Sequence, residues 1–571
     1  MRNVLFILGV LIAQLAVGQT HSSVFIKNAT YLDVKKGKYI KGVNLLIRDS
    51  QIAEIGRKVK KPEGAIELDA SGKYIIPGLI DAHIHFFQSG GLYTRPDAID
   101  LRDVRPYNNE LLYMHENLDN TLDRYLKVGI TTVYDVGGPM ANYDIREKAS
   151  RKDVAPNVFL TGPLISTYQP KAFEIEDPPI IKVNTEEEAR EMVRKQLPYK
   201  PDFIKIWYIN LPDLPSDQTY QLIEAGIEES HQNNLPVAVH ATELNTAKLA
   251  IKAGADFLVH NVDDKPVDYE FIQLLKDNHV TLVPTLIVAG KYNQVFSQNN
   301  HLATADFKYA DPFVLGSLFD LQHIAGKKEL IEKYKNYGEK GKERLAVADG
   351  MRKANLKALY DAGVKIATGT DAGNVGTHHA SSYFEELKWM KESGMAHIDI
   401  IRASTINAAE ILNKDKLGNI NEGMQADLVI THIDPLAEIN FVDGIEYTIS
   451  SGNLIKTDTL LSDSPEMLAQ KQLNAYNARD IEAFLEPYAE DVKVYEFPNK
   501  LTMEGKEAMR KAYSGMFEKV TNLHCELVNR IVQGNTVIDQ ESVTGFGEDK
   551  FEAIAVYKVK DGKIAEVYFL R

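Results

Sequence analysis

Gly78-Leu79-Ile80-Asp81-Ala82-His83-Ile84-His85-Phe86 closes the first of eight apolar or β-branched segments that recur through the middle of the chain. That first segment runs over 74–86, and the others are 131–137, 158–165, 203–209, 236–242, 257–261, 281–288 and 365–371. Helical periodicity separates most of them, most plainly at 185–196, 218–232 and 343–362. Strand alternating with helix implies a parallel sheet covered by helices. Eight units over this span favour a closed (β/α)₈ barrel over an open doubly wound sheet. The insert at 291–341 follows the seventh segment, where a barrel places an active-site loop or lid.

Outward from this core, short alternating runs at 23–29, 44–48, 51–55 and 66–69 read as a small β-structure. Strand-like runs return at 427–430, 446–449 and 454–455, so 23–73 and 418–458 are expected to form one split β-sandwich around a barrel at 74–417. A third unit of α+β class is expected over 464–571, helical at 466–475 and 479–485 and strand-like from 522 onward. At the amino terminus, Arg2, the apolar run 4–17 and the small residues Ala16-Val17-Gly18 fit a signal peptide over 1–18, which predicts an exported, soluble mature protein. The 65 basic against 80 acidic residues leave a formal charge of −15, which argues against nucleic acid or anionic membrane as a partner. Cys525 is the single cysteine, so a metal site here must use nitrogen and oxygen ligands.

His83 and His85 are two apart, and side chains alternate along a strand, so both face one way. His240, His260 and Asp371 each close a different apolar segment, the position that faces the catalytic end of a barrel. Any one of these histidines could be a core residue bonded to a backbone carbonyl. Four imidazoles and a carboxylate at separate strand ends instead suit Zn, Mn, Fe or Co. Lys205 lies inside the apolar fourth segment; desolvation would neutralise it, leaving an amine able to take up carbon dioxide as a carbamate, unless it snorkels to solvent.

With Gly129-Ile130-Thr131-Thr132-Val133-Tyr134-Asp135, Gly254-Ala255-Asp256, Gly369-Thr370-Asp371-Ala372, Ala403-Ser404-Thr405-Ile406-Asn407-Ala408-Ala409-Glu410 and Gly423-Met424-Gln425-Ala426-Asp427-Leu428, the chain resembles the amidohydrolase superfamily, in its imidazolonepropionase-like and prolidase-like branch. The resemblance implies a metal-dependent hydrolase that cleaves an amide-type C–N bond in a small substrate such as a dipeptide or cyclic amide. It assigns His83, His85 and Asp371 to one metal, His240 and His260 to a second, and Lys205 to a carboxylated bridge, with zinc the expected ion and one or two ions per chain. A divalent metal brings the pKa of a bound water to about 7, and Asp371 would take the water's proton and return it to the leaving nitrogen. His378, His379 and Tyr208 are candidates for substrate contact, against the plainer reading of a solvated loop for the two histidines; Lys291 and Tyr292 stand similarly, and Thr285 could line the site or only pack the barrel. A lactonase, phosphotriesterase or deaminase on the same metal site, or a non-catalytic ligand-binding protein, are the alternatives.

Residues 470–571 resemble SnoaL-like or ketosteroid-isomerase-like domains, through 473–485, Tyr488-Ala489-Glu490-Asp491-Val492 and Gly505-Lys506-Glu507-Ala508-Met509. Such cones enclose a small-ligand pocket or form the interface of a homodimer, and Glu496, Asp539 and Glu541 are the carboxylates that could line one.

Overall fold

The computed structural model of the protein describes residues 23–211, 215–547 and 550–570; the signal peptide expected over 1–18 lies outside them. Strand Leu79–Ile84, buried at every position, pairs in parallel with Ile130–Asp135, which pairs with Asn157–Leu160. Thr161-Gly162-Pro163 then interrupts the third segment, since Pro163 has no N–H to give a ladder. Its continuation Leu164–Ser166 pairs with Ile204–Trp207 instead, and Val237–His240, Phe257–Val259 and Thr281–Val283 follow in parallel order. The eighth segment is short of regular strand but bonds to both neighbours: Ala367 N donates to Leu282 O at 2.9 Å, and Asp371 N to His83 O at 2.7 Å. Hydrogen bonds therefore run round all eight segments, and the barrel predicted from their alternation is the central body.

Helices cover it where expected. Glu186–Gln196 starts on Thr185, whose side chain accepts from Glu188 N at 3.2 Å, with three glutamates favourably placed in the first turn. Ser216–Gln232 and Tyr269–Asp277 repeat the pattern of one buried stripe against the strands. Phe203, Ala238, Phe257, Val283 and Ala367 from five segments join one apolar cluster, and each precedes a polar residue nearer the carboxyl end of its segment.

The flanks form one hydrogen-bonded run of eight strands around a shared buried core, the split β-structure expected from the sequence. Strand Val24–Asp33 is ten residues long, enough to pair with Ile66–Asp69 along its first half and Tyr74–Pro77 along its second. Tyr74–Pro77 then carries the ladder to Leu428–Thr431, knitting the two ends of the chain together. The insert 291–341 is helical rather than a loop, built from Val288–Phe296, Thr304–Tyr309, Pro312–Ser317 and the first half of Lys328–Asp361. Beyond it, a six-stranded sheet with helices Pro465–Ala478, Ile481–Leu485 and Lys506–Lys519 makes the C-terminal domain. Among the described residues, no helix is long and apolar enough to cross a membrane.

Candidate metal centre

His83, His85, Lys205, His240, His260 and Asp371 line one cavity of about 350 Å³ at the carboxyl ends of the barrel segments. Oδ1 of Asp371 lies 3.2 Å from Nε2 of both His83 and His85. His83 and His260 rings are 5.1 Å apart, and His240 and His260 rings 4.3 Å. One ligand atom each from His83, His260 and Asp371 falls within 4.8 Å of the others.

The backbone is bent to achieve this. His260 and Asp371 have φ of 76° and 60°, and Thr285 has 43°, each a left-handed conformation that costs a residue with a side chain about 1–3 kcal/mol. Gly369 has no such φ but must be glycine for space, because a Cβ there would sit 2.4 Å from Val283 Cγ1 and 2.8 Å from His83 Cβ. Asp81, buried beneath, accepts from Thr370 N at 3.0 Å and Thr370 Oγ1 at 2.7 Å, tying the first segment to the turn that aims Asp371.

Electrostatics point to a cation. Burial pushes His83, His240 and His260 well below their ordinary pKa, so their nitrogens carry lone pairs near neutral pH. His85 Nδ1 lies 2.7 Å from Gly137 O, and His260 Nδ1 lies 2.6 Å from Thr285 Oγ1; Nδ1–H donating in each leaves Nε2 free to ligate. Burial opposes the Asp371 charge, but the neighbouring His85 together with His260 and Lys205 outweighs it and holds the carboxyl below its usual range. Both nitrogens of His83 and Oδ1 of Asp371 are buried without a hydrogen-bond partner among the described residues. His83 Nε2 and Asp371 Oδ1, 3.2 Å apart, are placed as two ligand atoms of one cation would be. That spacing also matches the edge of about 3.3 Å expected for a tetrahedron with 2.0 Å bonds. The residues present thus fit a divalent metal.

Lys205 is 1% exposed, and burial brings its ammonium down to about 7. Thr285 and Tyr292 also line the cavity. The remaining candidates do not. His379 is consumed by Tyr125 Oη at 2.7 Å and the Gln88 carbonyl at 2.8 Å, and it stacks on Phe86. His378 is buried beside Arg124 and Asp311 rather than in a solvated loop, and Tyr208 is buried outside the cavity wall. Lys291 pairs with Glu385 at 2.6 Å. These residues follow strand ends in sequence, but their side chains turn into the packing around the rim.

Arg95 and Asn374 line the cavity without having been singled out. Arg95 grips Asp97 at two points, 2.8 and 2.6 Å, and reaches Asn374 Oδ1, to which Tyr292 Oη donates at 2.7 Å. Arg95 follows the first segment by a loop with no motif, so only Asn374, three residues after Asp371, had a signal in the sequence.

A parallel barrel with nitrogen and oxygen donors gathered at the carboxyl rim defines the class of metal-dependent (β/α)₈ hydrolases. The amidohydrolase family matches residues 74–455, and a SnoaL-like domain matches 469–567. The chain belongs to the amidohydrolase family. An imidazolonepropionase of Thermoplasma volcanium is 22% identical over 431 residues, 71% of this chain and 88% of the relative. A Xaa-Pro dipeptidase crystallised with methionine in its active site is 22% identical, with a TM-score of 0.58 over 76% of this chain and 100% of that one. A structure titled as a putative prolidase from Bifidobacterium longum is 21% identical, with a TM-score of 0.56 over 76% and 95%.

Proposed function

We propose that this metal-dependent hydrolase is exported and cleaves an amide-type C–N bond in a small substrate, a dipeptide or cyclic amide. The observation that carries the proposal is the convergence of four imidazoles, Asp371 and Lys205 on the floor of one 350 Å³ cavity. The likeness to an imidazolonepropionase and to a Xaa-Pro dipeptidase supports it. His83, His85 and Asp371 would hold one divalent ion and His240 and His260 a second, zinc in our reading. A bound ion would supply Lewis acidity, polarising the attacking water and the scissile carbonyl.

The chain's own groups do the rest. Asp371, ionised by its surroundings, accepts the water's proton at its free oxygen and delivers it to the departing nitrogen. Lys205, poor in charge because it is buried, would present a neutral amine able to add carbon dioxide with loss of one proton, which would supply an anionic ligand to the metal site. Phe87, Leu164, Phe173 and Ile180 give the cavity apolar walls that displace water from the substrate's side chains. Arg95, already held by Asp97 and Asn374, braces the wall more than it offers a free charge.

The test is a panel of dipeptides, cyclic amides, lactones and phosphotriesters against metal-loaded protein, with His240→Ala alongside. We expect turnover on an amide, lost at least a hundredfold in the variant while its circular dichroism is unchanged. Turnover confined to lactones or phosphotriesters, or retained by the variant, would refute the proposal.

A further inference from the structure

The C-terminal domain encloses a second cavity, of about 250 Å³, which the barrel chemistry does not use. Its wall is aromatic, with Tyr476, Phe484, Tyr488, Tyr513, Tyr557 and Phe569. Phe546 and Phe551, 48% and 39% exposed, also line it and lie 5.8 Å apart, giving it an apolar rim. Among the described residues that line it, Glu541 is the only charged side chain, and it is 6% exposed.

Glu541 sits on strand Thr536–Thr544, two residues from Asp539 and so on the same face. The two carboxylates fare differently. Asp539 is bound at two points by Arg530, at 2.7 and 2.6 Å, and the Arg530 guanidinium also donates to Gln470 Oε1 at 2.9 Å. Glu541 makes no ion pair among the described residues; the charge of Arg530, already bound to Asp539, acts on it only from farther off. What reaches it is the Cys525 thiol on the paired strand and a one-way chain of hydrogen bonds. Tyr488 Oη donates to Gln472 Oε1 at 3.2 Å, Gln472 Nε2 donates to Tyr557 Oη at 2.9 Å, and Tyr557 Oη donates to Glu541 Oε1 at 2.9 Å. Every donor in that chain points toward the carboxylate, and such chains polarise cooperatively. Glu496, the other carboxylate considered for this domain, is on the solvent side and pairs with Lys500 at 2.8 Å.

We propose that this cavity binds a small organic cation, an alkyl- or arylammonium, with its charge against Glu541 and its hydrocarbon against the rings. An anion would meet Glu541 with no free cation to offset it. A positive charge is matched twice, by the carboxylate and by the negative faces of the surrounding rings. Burial pushes the Glu541 carboxyl up to about 7, so arrival of a cation also offsets a charge that is costly to bury.

Phenyltrimethylammonium, permanently charged, and tert-butylbenzene, its neutral shape match, test the idea by calorimetric titration of the full-length protein at pH 8. The cation is expected to bind at least tenfold more tightly than the hydrocarbon, and Glu541→Gln, with wild-type circular dichroism, to lose at least tenfold in affinity for it. In the wild type, affinity for the cation falls as pH is lowered from 8 to 5, because protonation of Glu541 removes its counter-charge. Equal binding of the two probes, undiminished binding by the variant, or affinity that rises on acidification would each overturn the proposal; the last would mark a site for neutral acceptors instead. Should Glu541→Gln fail to fold, the wild-type pH profile and probe comparison decide alone.

Discussion

Thr285 Oγ1 stands 2.6 Å from His260 Nδ1, and this contact orients a ring already held at a φ of 76°. The hydroxyl accepts Nδ1–H, so Nε2 is left unprotonated and turned to its neighbours. Thr285→Val keeps the shape and removes the acceptor. It should weaken metal binding by about 10–100-fold without unfolding the barrel, measured by competition against a chelator, and Thr285→Ser should restore it. A variant that binds metal like the wild type would show that backbone strain alone aims His260. His83, His85, His240, His260 and Asp371 could be read from the sequence because each ends an apolar run, and strand periodicity then fixes where its side chain points. Asp81 lay in the same quoted motif, yet its bonds to Thr370, 289 positions away, have no local signature. His378 and His379 point away from the cavity for a related reason: following a strand end in sequence does not determine which way a turn points its side chains.

The eight barrel segments were legible as elements because their alternation with helices repeats, whereas the insert 291–341 looked like a loop because its apolar positions are sparse. Its helicity depends on tertiary contact, visible where Lys328–Asp361 crosses the end of Val288–Phe296. A Cβ on Gly338 would sit 2.5 Å from Ser297 N and 2.6 Å from its Cα, so the two helices meet backbone to backbone. Both helices reach the cavity, one through Tyr292 and the other through Arg352. Gly338→Ala should therefore push them apart, costing about 1–3 kcal/mol in stability. It should raise KM more than it lowers kcat, because the displaced wall is distant from the ligating groups. Thermal unfolding and steady-state kinetics check both, and an unchanged KM would remove the helices from the substrate wall. The split β-structure shows the same limit: alternation shows that strands exist, but only the ten-residue reach of Val24–Asp33 lets one strand serve two partners.

At the scale of the whole molecule, the C-terminal domain is bolted to the same insert that walls the cavity. Asn474 Nδ2 donates to Pro312 O at 2.6 Å, and Ser317, at the other end of that short helix, accepts from Leu92 N at 3.0 Å in the loop that carries Arg95. Beside this joint, His323 of the insert and His524 of the C-terminal sheet stack with ring centroids 3.4 Å apart and planes within 10°. Such a stack tolerates neutral rings and resists two charged ones. Burial lowers His323 to about 4, and burial followed by the neighbouring His323 lowers His524 to about 3. Unfolding returns both to about 6.5, so between pH 6.5 and 3 the unfolded chain binds more protons than the folded one. The stability present above pH 6.5 is accordingly lost as pH falls through that window, with Asp320, Glu526 and Arg105 nearby as the other charged groups. Replacing both rings with phenylalanine keeps the stack and abolishes its titration. The His323→Phe/His524→Phe protein should unfold at nearly the same temperature as the wild type at pH 7.5 and at a higher one at pH 4.5, read by calorimetry at each pH. If the two proteins lose stability in parallel on acidification, the acid sensitivity originates elsewhere and the stacked histidines are only part of the packing at this joint.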